Sequence, residues 1–266
     1  MGHNFGIGET MTDSLGDRMK GNYENRSRFY LTRRTPVIIR VDGRAFHTLT
    51  RNCEKPFDES LSKCMIETTI GLCEEIQGAK CAYVQSDEIS ILITDYDRLS
   101  SGAWFDYNLQ KMASVSASIA TLAFGLSIRK IAGDWNDWKS QAKATFDSRV
   151  FNIPREEVTN YFVWRQQDWT RNSLEMLARA HYSHKQLDKK NGAAMHEMLH
   201  ERGVNWADLP DKWKNGSLIV KESILIDLNQ DMVASNMRSE WKPKDPCPIF
   251  KNDRDAIEKL LIPEEV

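Results

Sequence analysis

The sequence predicts an α+β fold: an antiparallel sheet on a split βαβ, ferredoxin-like pattern with helices on one face, then a helical second half. Three observations predict it. Between residues 36 and 154 the elements alternate strand–helix–strand–strand–helix–strand. From about Glu156 the apolar spacing becomes that of helices. A β-rich run after Gly216, "GSLIVKESILI", adds a late strand.

Residues 1–34 are a polar arm with five arginines between Arg18 and Arg34. "PVIIRVDGRAF" (36–46) is a strand entering a glycine turn, with Val37, Ile38, Ile39 and Val41 as its buried body. Asp58 is placed to cap a helix in which Leu61, Met65, Thr68, Leu72 and Ile76 keep helical spacing, and Gly78 closes it. Residues 81–93 form a hairpin. The small residues of "YNLQKMASVSASIATLAFG" (about 107–125) suit a helix lying close on a sheet, and "ATFDSRVFNI" is a further strand ended by Pro154. The organisation is therefore an arm (1–34), the sheet region (35–155), a helical region with a returning strand (156–230) and a charged, loop-like tail (231–266).

Composition narrows the function. A hydrophobic fraction of 41% and a charged fraction of 28% over 266 residues suit a soluble globular enzyme with a core that needs no staples. The net charge of −2 gives no global basic field, so a nucleic-acid partner would need a local patch. Five scattered cysteines without a CxxC argue against a disulfide framework or a cysteine-rich zinc site and suggest a reducing compartment. The apolar stretch Ser116 to Ile128 is short and serine-rich for a membrane span, and the N-terminus lacks a signal pattern. A cytoplasmic protein with no membrane association is expected.

"YVQSDEIS" (83–90) raises the chemical question, because Asp87 and Glu88 sit between two runs of β-formers. A carboxylate at a hairpin is usually only a turn former. In a split βαβ sheet, however, the end of the first strand lies beside this hairpin, which brings Asp42 to Asp87 and Glu88. Three converging carboxylates repel unless cations neutralise them, and hard oxygen donors favour Mg²⁺. Two ions about 4 Å apart suit in-line displacement at phosphorus. Gly43 lets the backbone approach, so its carbonyl is a candidate ligand and neighbouring amides a candidate triphosphate cradle. Spacing alone does not separate a polymerase palm from a nucleotide cyclase.

"VDGRAF" (41–46), "KPFD" (55–58), "SDEIS" (86–90), "SVSAS" (114–118), "FDSRVF" (146–151) and "NYFVWRQQD" (160–168) together resemble the tRNA-His guanylyltransferase superfamily, in order from about residue 13 to residue 220. The resemblance implies a polymerase-palm-like domain run in reverse: ATP or GTP activates a tRNA 5′ end, and the 3′-OH of an incoming NTP then attacks it. It implies two Mg²⁺ ions on Asp42, the Gly43 carbonyl and Asp87, with Glu88 supporting the metal site. It also implies nucleotide binding by Asp42, Gly43, Arg44, Ala45, Phe46, His47, Lys55, Ser86 and Asp87, and a homotetramer. Eukaryotic members follow this motif with Cys-His-Ile-Asn-Asn, whereas here Thr170, Arg171 and Ser173 replace His, Ile and the second Asn and only Asn172 matches. That departure is shared with guanylyltransferase-like members that resemble template-dependent 5′-end repair polymerases. It favours repair over addition of a single G at position −1.

Arg165, Arg171, Arg179, His184, Lys185, Lys189 and Lys190, interleaved with Trp164 and Trp169, are a candidate phosphate stripe. Arg165, Asn172 and Lys185 are its candidate tRNA contacts. One motif points elsewhere: "HEMLH" (196–200) is a literal H-E-x-x-H, with His196 and His200 as zinc ligands and Glu197 as base of a metalloprotease. Trp206 stands where a third histidine belongs, leaving Glu222 as the only downstream candidate, and an exposed helix with scattered polar residues is the ordinary alternative. A tRNA-binding protein without catalysis is disfavoured by the intact carboxylates.

Overall fold

The computed structural model describes residues 14–132, 143–226 and 236–263. Its centre is a six-stranded antiparallel sheet in the order β4-β1-β3-β2-β5-β6. The strands are β1 (Val37–Gly43), β2 (Ala79–Gln85), β3 (Glu88–Ile93), β4 (Phe146–Asn152), β5 (Ser217–Ile226) and β6 (Asn236–Pro243). The first four carry the split βαβ order that the sequence predicts.

Side-chain alternation along β1 assigns the two faces. Val37, Ile39 and Val41 join Ile89, Ile91, Ala82 and Val84 on one face, under α3 (Glu59–Glu75) and α4 (Leu109–Ala132). Asp58 caps α3 as expected, accepting from the Leu61 amide at 3.0 Å. The α4 helix is longer than the spacing predicts. By length and composition it could cross a membrane, yet Met112, Ala120, Phe124 and Ile128 pack into the sheet's core.

The other face is not bare, and here the expectation of helices on one face is corrected. Helix α5 (Arg155–His181) crosses it, with Val158, Tyr161 and Phe162 packed on Ile38, Cys81, Tyr83 and Leu92. Cys247, Phe250, Ile257 and Leu261 complete this second core. The 231–266 tail is thus not loop-like throughout. It contributes β6 and the short helix α9 (Asp255–Glu258), and the Phe250 amide donates to Gln166 Oε1 at 2.8 Å. A third cluster joins the end of α5 to α6 (His184–Leu187) and α7 (Gly192–Glu201). Two short helices, α2 (Phe46–Leu49) and α8 (Asp211–Asn215), follow β1 and precede β5. At the N-terminus, α1 (Ser14–Asn22) buries none of its residues.

Candidate active site

Ile38, Arg40 and Asp42 point to the α5 face, and their register partners run Leu92, Ser90, Glu88 on β3 and Phe151, Arg149, Asp147 on β4. That face therefore grades from apolar at one end to carboxylates at the other. The apolar half of α5 covers the apolar end. Its later residues overhang the charged end and leave a cleft of about 630 Å³, lined among others by Asp42, His47, Ser86, Asp87, Asn172 and Arg179.

Two turns build the cleft floor. After Asp42, the Phe46 ring folds back over Gly43 so closely that a Cβ there would overlap it. Phe46 is in turn held by Phe124 and Phe146, with centroids 5.5 and 5.3 Å away. The Gly43 and Arg44 amides donate to the carbonyls of Asp87 (3.0 Å) and Thr145 (2.8 Å). Ala45, at φ +54°, opens α2, where the Phe46 and His47 amides precede any intrahelical acceptor. The second turn is the two-residue link between β2 and β3. Ser86 holds φ +46°, a conformation that glycine adopts freely and serine does not. Strain of this kind collects at functional sites.

Asp87 sits in this turn with its carboxyl raised to about 6. Burial is the main cause, and repulsion from Asp42 and Glu88 adds to it against hydrogen bonds from its own amide and Ser86. A carboxyl raised on folding stabilises the protein below its ordinary value near 3.8 and loses that contribution as pH rises through 6. Metal-free protein is therefore expected to lose about 2 kcal/mol of stability between pH 4 and pH 7 through this group. Denaturant titrations of wild type against Asp87→Asn, compared at both pH values without divalent ions, measure that difference; equal slopes for the two proteins would contradict it.

Glu88 corrects the expectation of three converging carboxylates. Its Oε1 accepts from Arg165 Nε at 2.6 Å and Gln85 Nε2 at 3.2 Å, and its Oε2 accepts from Arg165 Nη2 at 2.7 Å. Among the described residues no three His, Cys, Asp or Glu side chains group as a metal site. The donors left are the Asp42 and Asp87 carboxylates and the Gly43 carbonyl. They are hard oxygens, and the two carboxylates form no ion pair among the described residues; the set fits Mg²⁺, which takes few protein ligands and completes its shell with phosphates and water.

Arg165 is likewise not an RNA-facing cation: it is only 7% exposed, stacks against Trp164 at 4.4 Å and also bonds Asp168 at 3.0 Å. Asn172 does line the cleft. Lys185 lies on α6, beyond the end of α5, and is not among the residues lining the cleft. Lys55 lines an adjoining groove and donates to the Thr50 carbonyl at 3.0 Å. That groove shares Gln85, Ser86, Trp169 and Met176 with the cleft, and Phe57 and Trp213 stack in its wall at 4.8 Å. Sequence reasoning missed Gln85, Asp147, Phe57 and Trp213 as site residues. The alternation of "YVQSDE" and "FDSRVF" placed the first two on the cleft face; nothing local marked the aromatics.

At the departed motif, the Thr170 hydroxyl donates to the Gln166 and Lys214 carbonyls at 3.0 and 3.3 Å, and that of Ser173 donates to the Trp213 carbonyl. Both face α8 and its flank. His196 packs edge-on to Trp206 at 5.8 Å, and His200 and Glu197 are exposed, so H-E-x-x-H is a helix surface here.

Two aspartates and a glycine turn at the open end of a β4-β1-β3-β2 sheet, beside an aromatic groove, form a palm-type site suited to phosphoryl chemistry on nucleotides, and the family match below makes the protein a nucleotidyltransferase. The family model for tRNAHis guanylyltransferase matches residues 16–154, and the chain belongs to that family. The solved structure of a bacterial tRNA(His) guanylyltransferase-like protein in complex with ATP is similar at 46% identity and TM-score 0.82, over 94% of this chain and 99% of that one. A probable tRNA(His) guanylyltransferase of Drosophila melanogaster is 25% identical over 77% of this chain and 76% of its own. The crystal structure of the Saccharomyces cerevisiae enzyme, at 22% identity, shares the fold with TM-score 0.64, over 76% of this chain and 91% of that one.

Proposed function

We propose that this protein rebuilds tRNA 5′ ends in the 3′–5′ direction, copying the opposite strand. In the first step an RNA 5′-phosphate oxygen attacks the α-phosphorus of ATP or GTP and pyrophosphate leaves. In the second, the 3′-OH of an incoming NTP attacks the activated 5′-phosphorus and the nucleoside monophosphate leaves. The observation that carries this reading is the pairing of Asp42 and Asp87 on the floor of a cleft rimmed by Asn172 and Arg179. The complexes of bacterial guanylyltransferase-like proteins with ATP and with GTP support a nucleotide in the site.

Magnesium bound by Asp42, Asp87 and the Gly43 carbonyl would neutralise phosphate charge and lower the pKa of the attacking hydroxyl. The chain's own part is orientation. The Phe46 and His47 amides and Ser86 would face the phosphates, while Phe57, Trp213 and Lys55 line the adjoining groove that would take a nucleotide. Arg171 and Arg179, both well exposed on α5, are suited to RNA phosphates. We further propose a homotetramer, as the family resemblance implies, in a cytoplasmic setting whose reducing character is supported by five buried free cysteines.

Repair is favoured over single-G addition because Thr170 and Ser173 are bonded to the segment before β5, which leaves Trp169 and Asn172 of the altered run to line the cleft. The test pairs a 5′-monophosphorylated tRNA-His lacking its first paired nucleotides with full-length tRNA-His carrying A73, each with Mg²⁺, ATP and all four NTPs. Extension of the truncated RNA that follows the opposite strand is expected. A single G on the full-length RNA alone would assign the dedicated guanylyltransferase activity instead.

A further inference from the structure

We propose that Glu88 is a positioning residue and not a metal ligand: with Arg165 it forms a buried clamp that seats the Asp87 turn against α5. Glu88 is 9% and Arg165 7% exposed, and the two share a bidentate contact at 2.6 and 2.7 Å. Gln85, itself 5% exposed, occupies Glu88 Oε1 a second time, and Arg40 Nε stands 3.9 Å from Oε2. Oε1 thus has both acceptor directions occupied, and a metal at Oε2 would compete with the guanidinium for the carboxylate charge that pairs it in the buried site.

The clamp joins two parts of the site that lie far apart in sequence, beside the Ser90–Tyr161 hydroxyl contact at 2.9 Å between the same two elements. One is the hairpin turn with Asp87, whose carbonyl accepts the Gly43 amide and so sets the distance between the two metal-binding loops. The other is α5, which carries Asn172 and Arg179 to the rim about two and about four turns beyond Arg165. A bidentate fork fixes both distance and plane, which a buried apolar contact would not. The Arg165 guanidinium is itself steadied by Asp168 and the Trp164 ring, and Asp168 holds the exposed Arg171 at 2.8 Å. The clamp thus ties the metal loops to the edge of the RNA-facing helix.

The kinetic arm of the test rests on the proposed activity; the other two arms do not. E88Q and R165K are each expected to lower kcat for 5′-activation about 100-fold while leaving KM for ATP within about twofold. Hydrogen exchange at the Gly43 amide should rise about tenfold in both, because the same hairpin is loosened. The double variant E88Q/R165K should be no slower than the slower single, since one contact is lost either way. Mn²⁺ affinity by electron paramagnetic resonance should match wild type in both. A selective loss of Mn²⁺ binding in E88Q would make Glu88 a ligand and overturn the clamp, as would additive kinetic losses or unchanged Gly43 exchange. Should R165K fail to fold, E88Q carries the metal and exchange arms, and E88Q/R165Q replaces the double. Absence of Mn²⁺ binding to wild type would count against the metal reading alone, with exchange still deciding the clamp.

Discussion

Asp42→Ala and Asp87→Ala are each expected to abolish 5′-activation and nucleotide addition together, by about 1,000-fold or more, while the protein stays folded. The two steps should fail together because the proposed mechanism runs both displacements over the same pair of carboxylates. The fold survives because neither side chain belongs to a core cluster. For Asp87 the argument is stronger still, since its charged form is disfavoured by burial and by Asp42 and Glu88. Its removal should raise stability above pH 6 in metal-free buffer. Single-turnover assays of each step, with circular dichroism melts of the same preparations, measure both sides. Residual activation within tenfold of wild type in either variant would remove that aspartate from the site.

Phe250→Ala is expected to cost about 3–5 kcal/mol of stability. The ring is fully buried, packs edge-on to Tyr83 and Phe162 at 5.3 and 6.0 Å, and its amide occupies Gln166 Oε1. Its loss would open a cavity directly beneath α5, the helix that rims the cleft. Urea unfolding measures the change. A loss below about 1 kcal/mol would show that the tail only lies against the domain.

Much of the sheet and half of the site were legible in the sequence. The cap at Asp58, the apolar runs of β1 and the hairpin, and the turn residues between them are local signals, and local signals fix both element and face. The approach of Asp42 to the hairpin then follows from topology. Three features were not legible for a shared reason. Glu88 and Arg165 meet across 77 residues, Phe250 and Gln166 across 84, and β6 pairs as an edge strand whose charged sequence resembles a loop. An arginine on a long charged helix looks solvent-bound until the carboxylate that buries it is known. The same holds for Asp147, whose register opposite Asp42 is a property of the pair β1 and β4 and of neither strand alone.

The second core also sets an order of events at the ribosome. It gathers Ile38 near the start of the chain, Phe162 in the middle, and Phe250 and Leu261 near the end. The face beneath α3 and α4 needs mainly residues from the first 150 or so and can assemble while synthesis continues. The face that carries the cleft cannot close until residues 247–261 have emerged. At about 5–20 residues per second, the stretch of about a hundred residues from Phe162 to Leu261 takes roughly 5–20 s to appear. During that interval the nascent protein shows apolar surface on the face that carries the cleft. The cleft should therefore be the last part of the molecule to mature and the first place a chaperone finds to hold.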